Sequence, residues 1–179
     1  MSSELPSKTQ ASRHGGRITI VASTYNEKYT TALLENCLAE LEENAPHTLV
    51  DVVRVPGAFE VPIMVKRAIV EETGADKPDV VIALGVILRG STAHADLIGE
   101  AITRQLLSIS CDSLTPVIHE VLLLNDEQQA FARCIASTLN RGREAARAAI
   151  SMINLLDERY TLHSVKQRMS NISRSGSLI

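Results

Sequence analysis

The chain has 179 residues, 45% of them hydrophobic, and a formal net charge of −3. This is enough for one domain with a hydrophobic core, while the slight negative charge argues against a generic nucleic-acid binder, whose surface would be basic. Aromatic residues make up 3% and tryptophan is absent, which argues against a base-stacking platform. No apolar run approaches the roughly 20 residues of a membrane span, so we expect neither a nucleic-acid nor a membrane partner.

The N-terminus and the cysteines favour a cytoplasmic protein. Residues 1–16 are polar, lack the apolar stretch of a secretory signal and are expected to form a flexible arm. The three cysteines, Cys37, Cys111 and Cys134, are widely spaced and fit buried thiols in a reducing compartment. The five histidines are scattered without a second ligand at metal-binding spacing, so the sequence predicts no metal site.

Strand-like and helix-like segments alternate along residues 17–156, which we expect to form one domain. Apolar, often β-branched runs predict strands at residues 17–23, 48–55, 79–88 and 116–124. Apolar residues at helical spacing predict helices at residues 30–44, 61–69, 98–109 and about 142–156. Asn125 or Asp126 is placed to cap one more helix.

The order of these segments predicts the fold class. The strands are apolar on both faces and alternate with helices. This pattern is typical of an α/β fold, here a three-layer flavodoxin-like sandwich in which a four-stranded parallel sheet is covered by helices on both faces. Residues 157–179 turn polar, and we expect them to form a partly disordered C-terminal extension.

Four polar segments follow the predicted strands. Ligands of open parallel sheets bind beyond the carboxyl ends of the strands, so these segments are candidates for a site. In chain order they read STYNEKY, PGAFEVP, LRGSTAHAD and LLNDEQQAFAR. Because all four meet at one edge of the sheet, their convergence predicts a site there.

The stretch GVILRGST has the glycine spacing of a P-loop but not its chemistry. Ser91 stands where the phosphate-binding lysine must be, which excludes a Walker site. Two interpretations remain for Gly90, Ser91 and Thr92 at the start of a helix. They form either an ordinary turn with a Ser/Thr helix cap, or a cradle of backbone N–H groups and hydroxyls for a phosphate-like anion.

Three titratable residues near these segments have two interpretations each. His94 lies in the first turn of the predicted helix and is either a structural hydrogen-bonding residue or a proton-transfer group at neutral pH. Glu60 is either an acid at a helix N-terminus or a hydrogen-bond acceptor for a ligand. Asp96 is expected to face solvent or the helix dipole.

Together these motifs resemble the 6,7-dimethyl-8-ribityllumazine synthase family from about Arg17 to Ile153. The resemblance rests on TYNEKYT, VPGAFEVP, GVILRGSTAHAD and, less closely, PVIHEVLLLNDEQQAFAR. It implies the condensation of 5-amino-6-(D-ribitylamino)uracil with 3,4-dihydroxy-2-butanone 4-phosphate in riboflavin biosynthesis. The product is 6,7-dimethyl-8-ribityllumazine, with orthophosphate and water released, and the reaction needs no cofactor or metal.

The resemblance also implies roles for individual residues. Tyr25, in place of a usual Phe, stacks on the pyrimidine and is followed by Asn26. The ribityl chain is bound by Ala58, Phe59 and Glu60, and the pyrimidine site is lined by Val86, Ile87 and Leu88. The butanone phosphate is held by Gly90, Ser91, Thr92 and Arg133, and His94 transfers protons.

Some positions depart from the family pattern. His119 stands where a neighbouring subunit usually contributes Phe to the pyrimidine pocket. Ala95 replaces an aromatic residue, Ala132 an acid, and Ser137 a lysine. The family forms homopentamers with shared active sites, and some members form larger shells. The departures leave open a non-catalytic paralogue that keeps the scaffold, whereas a flavodoxin or receiver module is disfavoured because its characteristic loop after the first strand is missing.

Overall fold

The protein forms an α/β sandwich, as the sequence predicts. The structure, a computed structural model, describes residues 7–8 and 15–157. The strands are β1 (Arg17–Ser23), β2 (Leu49–Val55), β3 (Val80–Leu88) and β4 (Val117–Leu124). The helices are α1 (Glu27–Asn44), α2 (Val61–Val70), α3 (His94–Ser113), α4 (Glu127–Ala130) and α5 (Arg141–Asp157). Among the residues of the expected terminal arm and extension, 1–6, 9–14 and 158–179 lie outside the described part of the chain.

The four strands form one parallel sheet in the order β2-β1-β3-β4. The central strands β1 and β3 are buried along most of their length, as expected for a sheet covered on both faces. The edge strand β2 differs from this expectation. Asp51, Val52 and Arg54 are exposed on it, because β2 has a neighbouring strand on one side only.

The sheet separates two hydrophobic cores. On one face, α1 and α5 pack against the sheet, and the core there includes Ile18, Ile20, Leu33 and Ile150. On the other face, α2 and α3 cover a second core that includes Val21. The alternation of Ile20 and Val21 between the cores follows from the two-residue period of a strand. Burial on both faces fixes the register of β1 and β3, and with it the position of their carboxyl ends.

None of the helices in residues 15–157 is long and apolar enough to cross a membrane. Within the same part of the chain, no group of three or more His, Cys, Asp or Glu side chains is arranged to hold a metal ion.

Candidate active site

The carboxyl end of β3 extends past its neighbour β1. Pairing with β1 ends at Leu84, whereas β4 accompanies β3 to Leu88. Residues 85–88 therefore have one backbone edge without a strand partner. Asn26 covers part of this edge, since its Nδ2 donates to the carbonyl oxygen of Val86 at 2.8 Å. The other main-chain groups on this edge need partners from water or from a ligand.

The loop after β2 folds closely against the loop after β1. The backbone N–H groups of Thr24 and Tyr25 donate to the carbonyl oxygen of Pro56 at 3.1 and 2.9 Å. The N–H of Gly57 donates to Oε2 of Glu60 at 2.9 Å, so this carboxylate closes the turn. A Cβ at Gly57 would lie 3.0 Å from Cδ2 of Tyr25 and 2.9 Å from the same Glu60 oxygen. A side chain at this position would displace the Tyr25 ring and the Glu60 carboxylate, so glycine allows both to keep their positions in the cleft.

These loops and the end of β3 surround a cleft of about 400 Å³ at the carboxyl edge of the sheet. The cleft brings together nine residues to which the resemblance gives a role: Tyr25, Asn26, Ala58, Phe59, Glu60, Val86, Ile87, Leu88 and His94. Tyr25 and Phe59 are 71% and 65% exposed. Aromatic rings with this exposure offer apolar surface to a flat ligand.

His94 begins α3 and lines the cleft. Gly90, Ser91 and Thr92 form the exposed turn that joins β3 to this helix. The N-cap residue is Ala93, without a side-chain hydrogen bond, so neither hydroxyl caps the helix. The first N–H groups of α3 and the positive end of its dipole thus lie beside His94, an arrangement that favours an anion.

Arg89 ties the start of α3 to the end of β4. Its Nε and Nη2 donate to Oδ1 of Asp96 at 3.0 and 2.6 Å, and its Nη1 donates to Oδ1 of Asn125 at 2.5 Å. Its backbone N–H also donates to the carbonyl oxygen of Leu124 at 2.9 Å. Asp96 is exposed, as expected, but it is also engaged by Arg89. This contact holds the turn that precedes His94.

Arg133 does not line the cleft of its own chain. The short helix α4 continues into a π-helical turn, Phe131–Ile135, and Arg133 is its middle residue. Asp126 caps α4 by accepting a hydrogen bond from the Gln129 N–H at 2.8 Å. Of the two predicted caps, Asn125 and Asp126, the structure confirms Asp126. Arg133 lies on a different segment of the chain from His94.

His119 also lies away from the cleft, on β4 where α3 packs. Its Nδ1 accepts from the Val121 N–H at 3.1 Å, and its Nε2 lies 2.8 Å from Oγ1 of Thr103. Since the Thr103 hydroxyl donates to the carbonyl oxygen of Gly99 at 2.8 Å, it accepts from His119. This pattern assigns the proton to Nε2. Burial lowers the pKa of His119, which favours the same neutral ring.

Three residues contribute to the site beyond those to which the resemblance gives a role. Gly57 and Ile98 complete the lining of the cleft, and Arg89 fixes the turn before His94. The Pro-Gly pair after β2 is a usable signal for Gly57, since glycine permits close backbone approach. The sequence around Ile98 shows only the spacing of a buried helical residue, which does not distinguish it from a core residue. The role of Arg89 depends on Asp96 and Asn125, which local sequence does not place beside it.

Comparison with known proteins identifies the family. The family model described as 6,7-dimethyl-8-ribityllumazine synthase matches residues 15–157. A protein of Rhodopseudomonas palustris with the name 6,7-dimethyl-8-ribityllumazine synthase 1 is 38% identical over 152 residues, 84% of this chain and 91% of that protein. The chain belongs to the 6,7-dimethyl-8-ribityllumazine synthase family. The resemblance carried by the strand-end motifs is therefore confirmed.

Two further relatives show how broadly the family similarity extends. The 6,7-dimethyl-8-ribityllumazine synthase of Thermococcus kodakarensis is 39% identical over 142 residues, 79% of this chain and 87% of its own. That of Paracidovorax citrulli is 39% identical over 160 residues, 84% of this chain and 96% of its own. The match of the family model, residues 15–157, includes both the cleft residues and the segment that carries Arg133.

The departures from the lumazine synthase pattern lie in three places. Ala95 is buried in the first turn of α3, directly after His94. Ala132 and Ser137 are exposed and lie on either side of Arg133. His119 is held on β4 by the hydrogen bonds described above. None of these substitutions removes a residue that lines the cleft.

Proposed function

We propose that the protein condenses 5-amino-6-(D-ribitylamino)uracil with 3,4-dihydroxy-2-butanone 4-phosphate, giving 6,7-dimethyl-8-ribityllumazine, orthophosphate and water in riboflavin biosynthesis. The observation that carries this proposal is the convergence of nine motif residues on one cleft. Membership of the lumazine synthase family and the names of the relatives support the same activity. The reaction needs a surface for a flat pyrimidine, an anion site and a proton-transfer group.

The pyrimidine occupies the part of the cleft beside the end of β3. There the free backbone edge of residues 85–88 supplies main-chain donors and acceptors that match the amide-like edge of a uracil ring. Tyr25 and Phe59 supply aromatic surface. The carboxylate of Glu60 is held in place by the Gly57 N–H and accepts a hydrogen bond from the ribityl chain.

The phosphorylated butanone binds at the start of α3. Gly90, Ser91 and Thr92 place backbone N–H groups and hydroxyls at the positive end of the helix dipole, which suits a phosphate dianion. Arg133 supplies a guanidinium, whose planar fork binds phosphate through two hydrogen bonds. These contacts hold the leaving group while phosphate is eliminated.

His94 moves protons between the two substrates. It lines the cleft at the junction between the pyrimidine part and the proposed phosphate part. Imine formation between the uracil amine and the butanone ketone requires loss of water, and elimination of phosphate requires removal of a carbon-bound proton. An imidazole can donate a proton from one ring nitrogen and accept one at the other, which suits both steps.

A complete site needs two copies of the chain. His94 lies in the cleft, whereas Arg133 and His119 lie outside it, so we propose that an adjacent subunit supplies both of them. The neutral ring of His119 then forms one wall of the neighbouring pyrimidine pocket. We propose a homopentamer with five shared sites, and a cytoplasmic location that fits the three free cysteines.

The test is a direct assay of purified protein with both substrates. Absorbance follows the appearance of the lumazine, and a phosphate assay follows release of the leaving group. We expect product and phosphate in equal amounts. Tight pyrimidine binding without product would contradict the proposal and would favour a scaffold that binds without catalysis. Light scattering of the same sample measures whether the pentamer forms and whether it assembles into a larger shell.

A further inference from the structure

The segment that carries Arg133 has an unusual backbone. Residues Phe131–Ile135 form a π-helical turn, and the N–H of Ala136 closes it by donating to the carbonyl oxygen of Phe131 at 3.0 Å. Such turns are rare, mostly short, and concentrated at functional sites. They disturb the regular pairing of the backbone, so some other group must fix their shape.

Asn140 is the group that fixes this turn. It is 0% exposed, and its Nδ2 donates to the carbonyl oxygens of Cys134 and Ala136 at 2.9 and 3.1 Å. Its Oδ1 accepts from the N–H groups of Gly142 and Arg143 at 3.0 and 3.3 Å, in the first turn of α5. Both donor hydrogens and both acceptor positions of the amide are therefore used.

The two ends of the Asn140 amide serve different elements. The oxygen caps α5, as asparagine commonly does at a helix N-terminus. The nitrogen holds the end of the π-helical turn and has no part in the cap. The backbone before it is strained, since Leu139 has a φ of 56°, in the left-handed region that non-glycine residues rarely adopt. The hydrogen bonds of Asn140 help to offset this cost.

We propose that Asn140 is a positioning residue for Arg133, acting through the two hydrogen bonds that its amide nitrogen donates to the π-helical turn. Cys134, next to Arg133, is 0% exposed and fixes the inner side of the turn, while α5 is anchored in the core. Arg133 thus extends from a turn whose C-terminal end is fixed by Asn140. The inference rests on the proposed role of Arg133 in binding phosphate.

The substitution Asn140→Asp separates the two functions of the side chain. The carboxylate keeps an acceptor for the cap of α5 and is favoured by the helix dipole. It cannot donate to the carbonyl oxygens of Cys134 and Ala136, and instead repels them. We expect helix content close to wild type but a lower urea midpoint, because the carboxylate is buried and two carbonyl oxygens lose their donor. We expect the KM for the phosphorylated substrate to rise about tenfold, with the pyrimidine KM nearly unchanged.

A double-mutant cycle with Arg133→Ala gives the decisive comparison. If Asn140 acts through Arg133, the double variant N140D/R133A should have the same KM for the phosphorylated substrate as R133A alone. Additive effects, or equal changes in both KM values, would overturn the proposal and leave Asn140 as a structural cap. If N140D fails to fold, N140S keeps an uncharged cap oxygen, lacks the amide donors and enters the same cycle.

The cycle also distinguishes this inference from the function on which it rests. If R133A leaves the KM for the phosphorylated substrate unchanged, the phosphate role of Arg133 is wrong, and the positioning role falls with it. If R133A raises that KM and N140D does not, only the role of Asn140 is overturned.

Discussion

The Asn26 side chain joins the ends of two strands by donating from Nδ2 to the carbonyl oxygen of Val86 at 2.8 Å. Asn26 itself has a φ of 59°, in the left-handed region. Asparagine tolerates this conformation better than most residues do. The same residue therefore allows the sharp turn into α1 and covers part of the free edge of β3.

Two substitutions separate these contributions of Asn26. Asn26→Gly loses the hydrogen bond but keeps the freedom to adopt a positive φ, whereas Asn26→Ala loses both. We expect both variants to raise the pyrimidine KM. We expect the alanine variant to be less stable than the glycine variant by about 1 kcal/mol in urea unfolding, which is the cost of a left-handed backbone. A wild-type pyrimidine KM in the glycine variant would show that the bond to Val86 has no role in binding.

Gly57 is expected to control the pyrimidine part of the cleft. In Gly57→Ala the new methyl group would displace the Tyr25 ring and the Glu60 carboxylate. Both are side-chain atoms that can move, so the fold should persist while the KM for the pyrimidine rises. The matched control is Gly90→Ala, whose Cβ would meet nothing within 4 Å. Steady-state kinetics should show that this control alters the KM of the phosphorylated substrate only.

Much of this architecture follows from local patterns in the sequence. The predicted strand at residues 17–23 coincides with β1, because a run of β-branched residues bounded by polar ones is a strong local signal. The start of α3 has no apolar period, but the prediction that His94 lies in its first turn is confirmed. The first turn begins at His94 and buries only Ala95, whereas the apolar residues at helical spacing begin at Ile98.

The remaining features depend on distant partners. The π-helical turn around Arg133 has no sequence pattern of its own, since its shape depends on the amide of Asn140. The ion pair of Arg89 with Asp96 arises only once β3 and α3 are in place. Arg133 and His119 lie outside the cleft of their own chain, and their proposed roles depend on an adjacent copy, whose contacts cannot be read from local sequence patterns.

Gly142 is expected to be essential for the packing of α5 on α1. A Cβ there would lie 2.2 Å from the carbonyl oxygen of Leu33 and 3.1 Å from the backbone N of Cys37. Both contacts are with helix backbone, which cannot move aside. Replacing glycine by alanine within a helix stabilises the helix by about 1 kcal/mol. Overpacking typically costs up to roughly 3 kcal/mol, and more where the neighbouring atoms cannot move. Gly142→Ala should therefore lower the urea midpoint, and an unchanged midpoint would contradict this close packing.

His94 and Arg133 are expected to affect different kinetic constants. His94→Ala should lower kcat by roughly 100-fold or more with little change in pyrimidine affinity, as expected for loss of a general acid–base. Arg133→Ala should raise the KM for the phosphorylated substrate by roughly 10- to 100-fold, because it removes a hydrogen bond to a charged group. Arg133→Lys keeps the positive charge but not the planar guanidinium, so its KM for the phosphorylated substrate should lie between those of wild type and Arg133→Ala. Equal effects of the two alanine variants on pyrimidine binding alone would contradict both roles.

Glu120 is expected to make stability depend on pH. Burial raises the pKa of its carboxyl from 4.5 to about 7, and Glu144 adds to the rise, while the positive charge of Arg141 opposes it. Nη1 of Arg141 lies 3.8 Å from Oε1 of Glu120 but 2.6 Å from Oε1 of Glu144. Arg141 therefore pairs mainly with Glu144, and its positive charge stabilises the ionised form of Glu120 only weakly.

The sign of this effect follows from proton binding. Since the folded pKa lies above the unfolded one, the folded protein binds more protons between about pH 4.5 and 7, and Glu120 lowers stability as pH rises through that range. The full effect is of the order of 3 kcal/mol. Glu120→Gln removes the ionisation, so its unfolding free energy should improve relative to wild type between pH 5 and 8. His119, whose lowered pKa acts in the opposite direction, is common to both proteins and cancels in the comparison. Parallel stability profiles in urea would show that Glu120 titrates in its usual range.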